Sequence, residues 1–402
     1  MAKRLAIPSK ELQLHIVGPR DWFKASRVQR LTLNTDIPST TVDEIGNSAH
    51  VGDVKDTPNI TLTFSAMDVG IKVFAALTGV DPDSYPAGGV DAVNLNEIDA
   101  ILFVKDPDIN DYVKSAHAKK LQISDYTFSY SVDGEATEDY TASGSEKRWF
   151  SNDIAVEVKT GTFTTLAATP VALKNGNKLL SLKVDTASSA EKCSYLTEVP
   201  SAPAANEYSV SGTTITYGSG SAPSARMIAV YQIATASPTW ADVADSSLPA
   251  GIRGKDIKLE LAANNVTRVQ SITINGTLNV QPVREMGSRF ITGYQRQIPE
   301  VTGTITVNDT DLELMSLLQY GVLSSGTEYA PGEGCVTGGI ALSIKLLDPC
   351  DDTDPFTVLK TVYLDDITVT GDSYSSTVNQ NTQATFNFKS RTGHCAIYSG
   401  AM

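Results

Sequence analysis

Four histidines, His15, His50, His117 and His394, four cysteines, Cys193, Cys335, Cys350 and Cys395, and an acidic run of Asp348, Asp351, Asp352 and Asp354 are the residues here with the widest chemical reach. Histidine can act as a general base or a metal ligand near neutral pH, but none of the four stands at HxxxH spacing or in a shared motif. The cysteines lack CxxC spacing, so free thiols are expected rather than a zinc site or a disulfide framework. A Cys335–Cys350 bridge depends on a Cβ geometry that spacing alone does not fix. The aspartates would suit an oxygen-ligated cation, yet the EF-hand order with its central Gly and final Glu is missing, and a solvated acidic turn is expected. Gly332-Glu333-Gly334 and Gly338-Gly339 lack the Lys-Ser/Thr of a phosphate loop, and no GxSxG elbow occurs. No catalytic, cofactor or metal site is therefore assigned, and an enzyme is not expected.

The remaining charge points the same way. Lys105, Lys114, Lys119 and Lys120 alternate with Asp106, Asp108 and Asp111, the texture of a solvated loop rather than a nucleic-acid patch. A net charge of −14 opposes any general phosphate-binding surface. Hydrophobic residues at 41% and charged ones at 19% mark a globular chain, and short apolar runs among many Thr, Ser, Val and Gly favour strands. A mainly β fold is expected. The opening Met-Ala-Lys-Arg lacks a long apolar region, so no secretory signal is expected, and no run approaches the roughly 18 apolar residues of a membrane helix.

One stretch of the chain occurs twice. Arg27-Val28-Gln29-Arg30-Leu31-Thr32-Leu33-Asn34 returns as Arg268-Val269-Gln270-Ser271-Ile272-Thr273-Ile274-Asn275, a shift of 268 − 27 = 241. The same shift pairs Val42-Asp43-Glu44-Ile45-Gly46 with Val283-Arg284-Glu285-Met286-Gly287, Pro58 with Pro299, and Asp68 with Asp309. Each copy reads as an opening alternating strand, a second strand, and a Thr-rich strand entered through a proline. A short amphipathic helix follows Asp68 or Asp309, with Gly79 or Gly321 as left-handed exit. A strand then ends at Asp106-Pro107 or Asp348-Pro349, and each copy closes on a long hairpin, Leu121 to Thr141 and Ile367 to Asn387. Asp133-Gly134 offers a tight turn in the first hairpin, and Asn379-Gln380 replaces it in the second.

Between the copies lies a Ser-, Ala-, Thr-, Gly- and Pro-rich segment with no counterpart in either. Its short alternating runs read as a small β domain. The expected organisation is a first β-sandwich or barrel domain over 1–144, an inserted β domain over 145–253 and a second sandwich or barrel over 254–402, each copy carrying one short helix.

The run from Tyr126 to Tyr140, with Ser131-Val132-Asp133-Gly134-Glu135-Ala136-Thr137-Glu138 at its centre, resembles the SVDGxATE-type segment of tailed-bacteriophage tail tube proteins, and the order of elements is similar too. The resemblance covers both copies and leaves the insert unexplained. It implies rings of six tube domains stacked into a hollow cylinder in the virion tail, made in the host cytoplasm. Such a cylinder encloses a tape-measure protein, meets terminator, baseplate or tip proteins and, in contractile tails, a sheath, and conducts DNA without specific binding. Two domains per chain imply homotrimeric, pseudo-hexameric rings, with the insert outside the tube. Asp133, Glu135, Glu138 and Asp139 are the expected acidic residues of the lumen wall. A β-domain adhesin and the tube of a phage-like injection machine are the rival readings; a porin-like barrel would need continuously apolar outer faces.

Overall fold

The computed structural model describes residues 12–25, 27–79, 89–106, 111–151, 153–161, 163–185, 193–234, 251–308, 339–351, 356–378 and 381–402. The protein is mainly β, as its composition predicts. The first copy holds β1 (Leu12–Val17), β2 (Trp22–Lys24), β3 (Val28–Asp36), β4 (Ser39–Val42), β5 (Gly52–Lys55) and β6 (Asn59–Met67). Helix α1 (Lys72–Thr78) follows, then β7 (Val90–Asp91), β8 (Glu97–Asp106), β9 (Asp111–Ser131), β10 (Thr137–Gly144) and β11 (Glu146–Phe150). The insert holds β12 (Ile154–Thr160), β13 (Leu179–Asp185), β14 (Ser194–Tyr195), β15 (Thr197–Glu198), β16 (Glu207–Ser211), β17 (Thr214–Tyr217) and β18 (Arg226–Gln232). The second copy holds β19 (Ile257–Leu261), β20 (Asn264–Asn265), β21 (Val269–Thr277), β22 (Val280–Val283), β23 (Gly293–Arg296) and β24 (Glu300–Asn308). It ends with β25 (Ile340–Leu347), β26 (Val358–Ser375), β27 (Gln383–Ser390) and β28 (Cys395–Ser399).

The copies match in backbone as well as in sequence. Arg27 and Arg268, 241 apart, both take positive φ, 57° and 65°; Lys120 and Asp366, 246 apart, take 51° and 52°. The latter pair mark the corners of the fold. Before its corner β9 pairs with β8 and β11, and after it with β10 and β21, so one long strand serves two layers. β26 does the same, pairing first with β25 and β28 and then with β27. A sandwich results, and its core joins Leu14, Phe64 and Phe128 of the first copy to Ile274, Ile305 and Phe386 of the second.

β11 pairs with β9 as β28 pairs with β26, so the first copy's sheet runs to Phe150, beyond the boundary expected at 144. The two copies share hydrogen bonds at both layers, β9 with β21 and β7 with β28. The insert forms one sheet of β12, β18, β13 and β14 and another of β15, β16 and β17. The first of these packs on the outer side of β1 and β8, where Val17, Ile101 and Phe103 meet Leu180, Ile228 and Val230. That cover explains why β1, an alternating strand in the sequence, is buried on both faces from Leu14 to Val17.

α1 forms where the period changes and ends on Gly79 at φ 84°, as its sequence predicts. Its N-cap residue is Ile71, with no side-chain cap, so Asp68, whose type suits a helix start, does not cap it and is committed elsewhere in the core. The matching helix after Asp309, with Gly321, lies outside the described residues, as do Cys335 and Asn379-Gln380. The first hairpin's connection spans residues 132–136 rather than a two-residue Asp133-Gly134 turn, because Val132 continues towards the second copy and donates its N–H to the Gln270 carbonyl at 2.9 Å.

Candidate assembly surface

Following the hydrogen bonds across one layer gives a ribbon of eight strands in the order β3, β6, β10, β9, β21, β24, β27, β26, four from each copy. Strand periodicity sorts its residues. Ile60, Leu62, Phe64 and Ala66 of β6 and Val301, Ile305 and Val307 of β24 point to the core, leaving hydroxyls on the other face. Thr32, Thr63, Thr141, Asp125 and, across the copy junction, Thr277 are directly opposed in register, as are Asp139, Thr127 and Asn275. Cross-strand bonds tie this face together: Thr127 Oγ1 donates to Asn275 Oδ1 at 3.0 Å, Thr277 Oγ1 to Asp125 at 3.1 Å, and the Thr306 and Thr385 hydroxyls lie 3.1 Å apart. The result is a smooth, weakly acidic polar wall on the side of the sandwich away from the insert.

Of the four acidic residues expected on such a wall, Asp139 stands on it. Asp133 and Glu135 are exposed in the 132–136 connection at the ribbon's end, where the Glu135 backbone forms an isolated antiparallel β-bridge with Arg253. Glu138 does not face solvent and the expectation is corrected: it is 1% exposed, on the core side with Tyr140 and Ala142. There Lys360 Nζ, from the second copy, lies 2.8 Å from Asp68 Oδ1, 3.4 Å from Glu138 Oε2 and 4.6 Å from the centre of the Phe128 ring. Tyr130 donates to Asp68 at 2.8 Å and Tyr140 to Glu138 at 3.0 Å. Burial pushes the Glu138 carboxyl up to about 7, Lys360 pulling it down and Asp68 adding to the rise. Burial alone would lower the Lys360 ammonium, but Asp68 and Glu138 together carry it up. This cluster locks the copies together inside the core.

A second buried cluster fastens the insert. Asp99 accepts from Ser181 at 2.5 Å and Tyr195 at 2.5 Å, with His117 Nε2 at 3.4 Å, while Lys183 donates to the Val17 and Gly18 carbonyls at 2.9 and 3.1 Å. Burial works against the Asp99 charge, but Lys183, His117 and Ser181 hold its carboxyl well below the usual carboxylate range. His117 is thus enclosed, and His15 packs between Trp22 and Phe103. His50 and His394 pair with Asp43 and Asp91. Cys193, Cys350 and Cys395 are free thiols, and burial pushes Cys395 up to about 12. In the acidic run, Asp348 and Asp351 accept bonds from Cys350 and Thr357, a self-satisfied turn; Asp352 and Asp354 lie outside the described residues.

The ribbon's two ends were not singled out by sequence. Among the described residues, β3 pairs only with β6, and the last residues of β26, Gly371 to Ser375, pair only with β27. By the shifts of 241 and 246 these ends are the counterparts of β21 and β9, which are joined inside the chain. The side chains reflect it: Phe128 is 0% exposed at the joined strand, and its counterpart Tyr374 is 62% exposed at the open one.

No protein-family model matches the chain, and no curated protein matches it. Among solved structures, the chain is similar to a component of the six-fold symmetrised baseplate of the anti-feeding prophage, over 37% of this chain and 97% of that one, with 7% identity and a TM-score of 0.26. A likeness of that size is a weak one to a phage-tail-like particle and carries no argument here. Among the described residues, no helix is long and apolar enough to cross a membrane.

Proposed function

We propose that this protein is a structural, non-enzymatic subunit of a tail tube, polymerising through the open ends of its eight-stranded ribbon. The observation that carries the reading is the pair of edges, β3 and the end of β26, that have no second partner strand among the described residues, whereas their counterparts β21 and β9 already join within the chain. An open edge invites pairing, and closing ribbons into a barrel removes it. The internal junction supplies the register. Ser129 opposite Thr273 translates to Ser375 opposite Thr32 of the next chain, Phe128 opposite Ile274 to Tyr374 opposite Leu33, and Tyr126 opposite Gly276 to Asp372 opposite Thr35. The last case is informative, because a Cβ on Gly276 would fall 2.0 Å from the Tyr126 ring, and the smaller Asp372 is matched by the larger Thr35.

The sequence resemblance to tail tube proteins supplies the number: six tube domains per ring, hence three chains, and three ribbons of eight strands make a barrel of 24. The hydroxyl-lined face becomes the lumen, and the insert, packed on β1 and β8, lies outside. The wall sets Asp125, Asp139 and Glu300 against Arg30 and Lys389, the last already paired with Glu300, so phosphates meet little net positive charge and DNA slides through without being held. Tape-measure, terminator and tip proteins, and a virion location, belong to the same reading. Negative-stain imaging with mass determination tests it: hollow rings or rods with three chains per layer are expected, and material that stays monomeric at all concentrations would overturn it in favour of an adhesin.

A further inference from the structure

Each copy carries a two-stranded arm, β4 with β5 over residues 37–57 and β22 with β23 over 278–298, and the two are built alike. Ser39 opposes Lys55 as Val280 opposes Arg296, the Val51 and Thr292 amides return to the Val42 and Val283 carbonyls, and Gly46 and Gly287 take φ 92° and 89°. Their surroundings differ. The second arm lies on the first copy: Leu278 donates its N–H to the Ser124 carbonyl at 2.7 Å, Tyr294 its hydroxyl to the Ser143 carbonyl at 2.9 Å, and Ile291 its N–H to Ser145 Oγ at 2.8 Å. Arg296 donates to the Val93 and Leu95 carbonyls. Every residue of β4 and β5 is exposed, and Ile37 is 49% exposed where its twin Leu278 is 2%.

Resting on the tube reading, we infer that the first arm docks on the second copy of the neighbouring chain, in the pose that the second arm holds within its own. The described part of the receiving surface is open, and the counterparts of Val93 and Leu95 lie outside the described residues. The counterparts of Ser124, Ser143 and Ser145 are Thr370, Lys389 and Arg391, all exposed, and Arg391 and Lys389 make only surface ion pairs, with Asp366 and Glu300. Charge separates the two arms. The docked arm is net basic, with Arg284, Arg289 and Arg296 against Glu285, whereas the free one carries Asp43, Glu44, Asp53 and Asp56 against Lys55, the sign that fits Lys389 and Arg391. Arg284 of the docked arm already reaches Asp56 at the base of the free one, 3.5 Å away, so the arms follow one another in a continuous belt.

The transferred Ile291–Ser145 contact places His50 of one chain beside Arg391 of the next. The full chain carrying His50→Cys and Arg391→Cys, with Cys335 and Cys350 replaced by Ser, is oxidised and run without reductant beside an Ile291→Cys, Ser145→Cys chain as the intramolecular control. Loss of most of the monomer band into dimer and trimer bands is expected for the first variant alone. Rings in the microscope with no cross-link between chains would overturn the arm assignment while leaving the tube reading intact. Cross-linked chains without rings would support the arm and overturn the tube, and absence of both would overturn both.

Discussion

Lys360 reaches from the second copy into the core beneath the first, where two carboxylates compete for one ammonium. Removing it leaves both acids buried without a counter-charge, so Lys360→Met is expected to destabilise the fold by roughly 3–5 kcal/mol in denaturant titration. Glu138 titrates against this background. Its carboxyl rises from an ordinary 4.5 to about 7, so between those pH values the folded protein holds a proton that the unfolded chain lacks. Stability from this group is therefore fully present below the lower value, falls as pH rises through the window, and is flat above it. Glu138→Gln is expected to remove that slope, on the order of 3 kcal/mol in all, with parallel pH curves for mutant and wild type counting against it. The signal for its burial was present in the sequence: Glu138 shares strand parity with Tyr140 and Ala142, and the aromatic decides which face is inside. Lys360 had no such signal, since its partners lie some 220 and 290 positions away along the chain.

At the scale of elements, the two edges of the ribbon behave oppositely to the two strands inside it. Tyr374→Asp is expected to change monomer stability by no more than about 0.5 kcal/mol and to abolish assembly, because its side chain is exposed until a neighbour covers it. Phe128→Asp, at the same repeat position but enclosed, is expected to prevent folding; circular dichroism and sedimentation distinguish the two. Gly276→Val is expected to separate the copies, since its side chain would occupy the Tyr126 ring. The strands, the α1 exit at Gly79, the proline-led entries of β6 and β24 and the long hairpins were legible, because each rests on local period or turn chemistry. The corners at Lys120 and Asp366 were not, since left-handed non-glycine residues in mid-strand leave no compositional mark. Nor was the burial of β1 on both faces, which depends on where the insert docks.

For the whole molecule, the duplication was readable from the register between Arg27 and Asp68, but the joining of β9 to β21 is long-range pairing that no local pattern encodes. In the tube proposed above, that junction is the construction rule: one chain contains, already made, the contact it would offer to the next. The wall it builds is polar and mildly acidic, so Asp125→Lys with Asp139→Lys is expected to make assembled rods retain DNA at low salt and release it as salt rises, whereas wild-type rods bind none at either. The most direct test of the account is a cryo-electron microscopy reconstruction of the assembled protein. It should show β26 of each chain continuing into β3 of the next, with Ser375 opposite Thr32 and three chains closing the barrel. A reconstruction in which β3 stays unpaired, or meets any strand other than β26, would contradict it.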